Sequence, residues 1–114
     1  MEDDPFIQQC SDFTISDLGH VTLTADDLAG ALAHLRGGQQ VDALFVDIRL
    51  HALVLGGYEV ANRAIEVQPR LRVLYTSGTP LSAGMSQLFV KGGRFLQKPY
   101  TTAELEHSVA LLLQ

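Results

Sequence analysis

The sequence of 114 residues lacks the features that several classes of protein require. It has one cysteine, Cys10, so no disulfide can form within the chain, and a reducing cytoplasm is the expected compartment. No apolar run approaches the roughly 20 residues that a membrane helix needs. The chain also does not open with a basic segment followed by an apolar one, as a secretory signal does. The sequence therefore predicts a soluble cytoplasmic protein with no membrane partner.

Positive charge is scarce as well. The chain has 8 lysines and arginines against 13 aspartates and glutamates, its net charge is −5, and the basic residues form no cluster. Because nucleic-acid binding depends on a basic surface, no direct nucleic-acid partner is expected. No glycine-rich phosphate loop follows a strand, which disfavours a small nucleotide or flavin binder. The 4 histidines lie at spacings that match no metal motif.

The residues that are present are typical of one compact, folded domain. Hydrophobic residues make up 46% of the chain and charged residues 18%, and 114 residues suffice for one core but not for two. Residues 1–114 are therefore expected to form a single domain. The chain has no internal repeat, and helical and strand-like patterns alternate along it.

The first part of the chain predicts two helices separated by a short strand. Pro5 favours a helix start, with an acidic residue before it as cap, and Gly19 favours the end of that helix. Residues 21–25 alternate apolar and polar side chains, as in a half-buried strand. The next helix is capped by Asp26 or Asp27.

The rest of the chain predicts further strands and helices in alternation. Strands are expected over 41–48, over 72–78 and shortly before Lys98, and helices over 58–67, over 82–90 and from 101 onward. Gly56 and Gly57 are assigned to a loop before the helix at 58. The last helix begins where Thr101 and Glu104 have the spacing of a capping box.

Alternation of this kind predicts a parallel sheet covered by helices on both faces. In such sheets ligands bind beyond the carboxyl ends of the strands. Asp47, Ser77 and Lys98 stand at three of these ends, and the acids Glu2 and Asp3 precede the first helix. Carboxylates at close quarters suit Mg²⁺, and a lysine with a hydroxyl suits a phosphoryl group. We therefore expect phosphate chemistry at this edge, with Asp47 as either a metal ligand or a nucleophile that accepts phosphoryl.

Four segments, in order, give the chain a resemblance to a known family. "EDDP", "VDALFVDIRL", "RVLYTSG" and "FLQKPY" resemble receiver domains of bacterial two-component response regulators, and the resemblance covers nearly the whole chain. It implies a flavodoxin-like three-layer α/β/α fold with a parallel sheet in the order 2-1-3-4-5. It also implies a domain that accepts a phosphoryl group from a sensor histidine kinase or a phosphotransfer protein and contacts a downstream protein. Such a domain takes part in its own phosphorylation and dephosphorylation and is not otherwise an enzyme.

The resemblance also assigns a role to each residue of the site. Asp47 is the phospho-acceptor, with Lys98 and Ser77 beside it. Ser77 and Phe95 occupy switch positions, and the peptide bond before Pro99 is cis. The cofactor is Mg²⁺, and its implied ligands are Glu2, Asp3, Asp47 and the backbone carbonyl of Arg49.

Simpler roles remain open for several of these residues. The hydroxyl of Ser77 can bond a turn, and Glu2 and Asp3 can cap the first helix. Phe95 is either an aromatic residue at the core edge or a switch, and it lacks a hydroxyl, so it can switch only by burial. Cys10 is expected to fill the core.

Two departures from the family pattern favour a rival interpretation. Only Met1 precedes Glu2, where the family has an interior strand. Either the true start lies upstream, or the sheet closes up, or another chain supplies the pairing, and a homodimer is the consequence to test. The loop after the acceptor has His51 in place of the family's proline and carries extra aliphatic residues. The alternative is a pseudo-receiver, an interaction or dimerisation module that works without phosphorylation.

Overall fold

The computed structural model describes residues 28–37, 41–48 and 56–113. In these residues strands and helices alternate along the chain, as the sequence predicted. The strands are β1 (Ala43–Asp47), β2 (Arg72–Ser77) and β3 (Arg94–Gln97). The helices are α1 (Leu28–Arg36), α2 (Gly56–Val67), α3 (Ala83–Ser86) and α4 (Thr102–Leu112). The predicted first helix and the strand at 21–25 lie outside the described residues.

The described strands form a parallel sheet in the order β1-β2-β3. Asp47 at the end of β1 lies opposite Thr76 of β2, and Tyr75 of β2 lies opposite Phe95 of β3. Since the strands run in the same direction, their carboxyl ends meet along one edge of the sheet. This edge is where the sequence placed the functional residues.

Side chains alternate across the sheet and build a hydrophobic core on each face. One core packs α2 against the sheet and contains Val46, Ile48, Tyr58, Val60, Ala61, Val73 and Tyr75. The other packs α4 against the opposite face and contains Leu74, Leu96, Leu105, Val109 and Leu112. The result is the three-layer α/β/α arrangement that the sequence predicted.

Helix α1 packs beside α2, and a glutamine fixes the position of its end. Leu35, Ala64 and Leu71 form the small core between the two helices. The side-chain amide of Gln68 donates to the Leu35 carbonyl, and its oxygen accepts from the Val41 N–H, both at 3.0 Å. The same side chain therefore sets where α1 ends and where the chain enters β1.

Two helix boundaries differ from the predictions. Helix α2 begins at Gly56, so the two glycines assigned to a loop belong to its first turn. Helix α3 covers four residues of the predicted 82–90. It stops early because Phe89 turns inward to stack on Tyr75 and the Val90 N–H bonds the Tyr75 hydroxyl.

The start of α4 is as predicted. The Thr101 hydroxyl accepts the Glu104 N–H, and the Glu104 carboxylate accepts the Thr101 N–H, which completes the capping box. Leu105, Val109 and Leu112 then form the buried stripe of the helix. Among the described helices, none is long and apolar enough to cross a membrane.

Candidate functional site

The candidate site lies at the carboxyl edge of the sheet, where β1 ends in a negative charge and β3 is followed by a positive one. Asp47 is the last residue of β1, and Lys98 comes directly after β3. The Lys98 Nζ lies 2.7 Å from the Asp47 Oδ2. The fold thus joins two residues that are 51 positions apart in the sequence.

Both partners of this ion pair are largely withdrawn from water. The side chain of Asp47 is 7% exposed and that of Lys98 is 18% exposed. A charge in such surroundings needs a partner, because water no longer solvates it fully. The pair therefore holds the Asp47 carboxylate beside the Lys98 ammonium group, which can also bind the oxygens of a phosphoryl group.

The two hydroxyls at the end of β2 have different partners. The Thr76 hydroxyl donates to the Leu96 carbonyl at 2.7 Å, a buried bond that ties β2 to β3. The Ser77 Oγ accepts a hydrogen bond from the Thr79 N–H at 3.0 Å. Ser77 thus bonds the turn after the strand, which is the simpler of the two roles expected for it. Its carbonyl accepts the Lys98 N–H at 2.9 Å, which places Ser77 beside the lysine backbone. A phosphate role for Ser77 stays a prediction.

Gly57 is a residue of the site that sequence reasoning missed. Its N–H donates to the Ile48 carbonyl at 2.7 Å, just after β1. A Cβ at this position would lie 2.6 Å from the Ile48 Cα and would collide with the Asp47 carbonyl. Only glycine permits this approach of α2 to the end of β1. The signal in the sequence was the glycine pair, which was assigned to a loop because glycine is disfavoured in helices.

Phe95 lies at the edge of the core on the α2 side of the sheet. Its ring is nearly parallel to that of Phe89, with an angle of 17° and a centroid distance of 6.3 Å. These contacts give it the role of a packed aromatic residue, and its switch role stays a prediction. The peptide bond between Lys98 and Pro99 is cis, as the resemblance implied.

One of the four predicted magnesium ligands lies within the described residues. Glu2, Asp3 and Arg49 lie outside the described residues, and Asp47 is described. Within the described part of the chain, no three His, Cys, Asp or Glu side chains gather into a metal-binding group. The carboxylate of Asp47 is a hard oxygen ligand of the type that Mg²⁺ prefers. At the described part of this edge, Asp47 is therefore a suitable ligand for Mg²⁺.

Comparison with known proteins places this geometry among solved structures. No protein-family model matches the chain, and no curated protein matches it. A response regulator receiver protein from Sinorhizobium medicae WSM419 is 28% identical with a TM-score of 0.84, over 98% of this chain and 89% of that one. The receiver domain of NtrX from Brucella abortus is 26% identical with a TM-score of 0.78, over 98% and 93%. A CheY-like receiver domain protein from Methanospirillum hungatei JF-1 has a TM-score of 0.82 at 19% identity, over 98% and 88%, which shows the fold alone.

These likenesses first define the chain as a flavodoxin-like α/β domain with a parallel sheet. More narrowly, the fold is that of the CheY-like receiver domains of response regulators, and the resemblance seen in the sequence is confirmed. The chain spans 26% of the length of a longer NtrX chain from Brucella abortus that it also matches.

Proposed function

We propose that this chain is a response regulator receiver domain that accepts a phosphoryl group on Asp47 from a sensor histidine kinase or a phosphotransfer protein. The observation that carries the proposal is the ion pair at the sheet edge. A carboxylate that is 7% exposed stands at the end of a parallel strand, with an ammonium group 2.7 Å from one of its oxygens. Such a pair supplies the nucleophile and the counter-charge that phosphoryl transfer needs.

The proposed transfer is a displacement at phosphorus. An Asp47 carboxylate oxygen forms a bond to phosphorus while the P–N bond of a phosphohistidine breaks. The imidazole leaves with the electron pair of that bond and takes up a proton. Lys98 stays beside the acceptor and offsets the charge on the phosphoryl oxygens.

Mg²⁺ is the proposed cofactor. Asp47 is its ligand within the described residues, and the resemblance adds Glu2, Asp3 and the Arg49 carbonyl. When bound, the ion supplies further positive charge for the phosphoryl oxygens. A chelator is therefore expected to suppress phosphorylation of Asp47.

The signal is proposed to leave the domain by contact with a downstream protein. A phosphoryl group adds a charge of about −1.5 to −2 at the sheet edge. The Ser77 hydroxyl, at the end of the neighbouring strand, is proposed to leave its bond with the Thr79 N–H and turn toward that charge. The resemblance favours a contact surface on α3, β3 and α4, and phosphorylation would shift this surface between two existing conformations.

Incubation of the purified protein with acetyl phosphate and Mg²⁺, followed by measurement of its intact mass, tests the proposal. The wild type should gain the mass of one phosphoryl group. Asp47→Asn keeps the shape of the side chain and should gain none. Asp42→Asn makes the same change beside the other end of β1, and this control should be phosphorylated like the wild type.

The same experiment decides between the receiver and the pseudo-receiver. A wild type that gains no mass, or a gain that survives Asp47→Asn, contradicts phosphorylation at this site and favours an interaction module that needs none. Light scattering with and without the donor adds the second criterion. A module that dimerises without phosphorylation has the molar mass of a dimer both with and without the donor.

A further inference from the structure

One strand holds both ends of the segment that follows it. Residues 79–90, here called the strap, contain α3 and lead from β2 toward β3. At the start of the strap, the Thr79 N–H donates to the Ser77 Oγ at 3.0 Å. At its end, the Val90 N–H donates to the Tyr75 hydroxyl at 3.0 Å. Ser77 and Tyr75 are two residues apart in β2, so both side chains lie on the same face of the sheet.

The anchor at Tyr75 is embedded in the core. Its side chain is 0% exposed, and its ring stacks on Phe89 with a centroid distance of 4.2 Å and an angle of 14°. Gly93 lies so close that a Cβ there would stand 2.8 Å from the Tyr75 Cε2. The Tyr58 hydroxyl holds the middle of the strap more loosely, donating to the Met85 carbonyl at 3.5 Å. The C-terminal end of the strap is therefore tightly fixed.

The position of Tyr75 also bears on the switch residue that the resemblance assigns. Phe95 has no hydroxyl, and Tyr75 is its register partner on the neighbouring strand. A hydroxyl is thus present on this face of the sheet, but it comes from β2 and points to the strap backbone. The outer side of the strap carries Leu81, which is 50% exposed, and Leu88, which is 48% exposed. The two anchors thus lie at the ends of the segment that carries these apolar side chains.

We propose that Tyr75 is the fixed anchor of the strap and keeps its C-terminal end in place when the bond at Ser77 is released. The inference rests on the proposed function, in which the Ser77 hydroxyl turns toward a phosphoryl group on Asp47. When it turns, the Thr79 N–H loses its acceptor and the N-terminal end of the strap is released. The bond to Tyr75 is unaffected, because the Tyr75 ring is buried and stacked on Phe89. Tyr75 is a positioning residue that confines the phosphorylation response to one end of the strap.

Amide hydrogen exchange measured by NMR on three variants tests the anchors without any phosphodonor. In Tyr75→Phe, exchange of the Val90 amide should rise about five-fold, the effect of losing one ordinary hydrogen bond, with the Thr79 amide unchanged. In Ser77→Ala, exchange of the Thr79 amide should rise and that of the Val90 amide should stay unchanged. Tyr100→Phe removes a phenol hydroxyl on the α4 side of the sheet and should change neither amide.

Two outcomes without the donor overturn the proposal. An unchanged Val90 amide in Tyr75→Phe shows that the hydroxyl holds nothing. A uniform rise that includes the buried β2 amides, such as that of Leu74, shows that the substitution loosens the whole domain. A local rise at Val90 is the expected result, because Phe preserves the ring and its stacking on Phe89.

The second arm adds acetyl phosphate and Mg²⁺ and records the intact mass of the same sample. In phosphorylated wild type, the Thr79 amide should exchange faster while the Val90 amide stays protected, and in Tyr75→Phe both amides should exchange rapidly. Joint release of both ends in the wild type, or no change at Thr79 despite the mass gain, overturns the proposal. A wild type without mass gain refutes the proposed function and the release of Ser77, while the role of Tyr75 is decided by the first arm.

Discussion

Removing the charge of Lys98 should destabilise the protein through Asp47. Lys98→Met keeps most of the aliphatic stem, but a carboxylate whose side chain is 7% exposed loses its partner at 2.7 Å. Breaking a buried ion pair costs about 3–5 kcal/mol, whereas an exposed pair contributes about 0–1 kcal/mol. Since the side chain of Lys98 is 18% exposed, an intermediate loss is expected. We expect a loss of about 2 kcal/mol, which lowers the Tm of a domain of this size by roughly 8 °C.

A double-mutant cycle with chemical denaturation measures this interaction directly. Asp47→Asn removes the charge that needs a partner, so Lys98→Met should cost much less in that background. The expected coupling energy is about 1–2 kcal/mol. Lys91→Met removes an exposed lysine and should change the stability by less than about 0.5 kcal/mol. If Lys98→Met unfolds like the wild type, or if the two losses simply add, the pair does not stabilise the edge as argued.

Three further predictions concern the surroundings of the site. Gly57→Ala should lower the free energy of unfolding by about 1–3 kcal/mol, because its Cβ would collide with the end of β1. Gly84→Ala should not destabilise the protein, since the nearest neighbour of its Cβ would lie at 4.0 Å. Urea unfolding of the two variants checks both predictions. Thr101→Ala should cost about 1 kcal/mol by the same measurement, since it removes the cap of α4, and an unchanged midpoint would contradict the capping role. Burial raises the pKa of Tyr58 and of Tyr75 above the usual 10.0. The folded protein therefore binds more protons than the unfolded chain above that pH. Its stability is full below pH 10 and falls as the pH rises through the raised values. Thermal unfolding against pH should show this fall, and it should be shallower in Tyr75→Phe; equal slopes would contradict it.

Elements whose pattern is local and strong could be predicted from the sequence. The apolar run at 41–48 became β1, and the spacing of Thr101 and Glu104 became the capping box of α4. The contact between Asp47 and Lys98 was also foreseeable, although the residues are far apart in sequence. Both follow parallel strands, and parallel strands end at one edge of the sheet.

Features that depend on tertiary contacts were missed. The length of α3 was overestimated, because only the folded chain shows Phe89 stacking on Tyr75. Gly57 was assigned to a loop because local propensity disfavours glycine in helices. Its reason for being glycine is the close approach of α2 to the end of β1, which no local pattern reports. The bond from Val90 to the Tyr75 hydroxyl is of the same kind.

The most direct test of the central claim is to locate the phosphoryl group. The protein is treated with acetyl phosphate and Mg²⁺ and reduced with borohydride, which converts an aspartyl phosphate to homoserine. It is then digested for peptide mass analysis. We predict one modified residue, Asp47, in the peptide that contains the end of β1, and no modification when the donor is omitted. Modification of a different carboxylate, or none in correctly folded protein, would contradict the assignment of Asp47 as the acceptor.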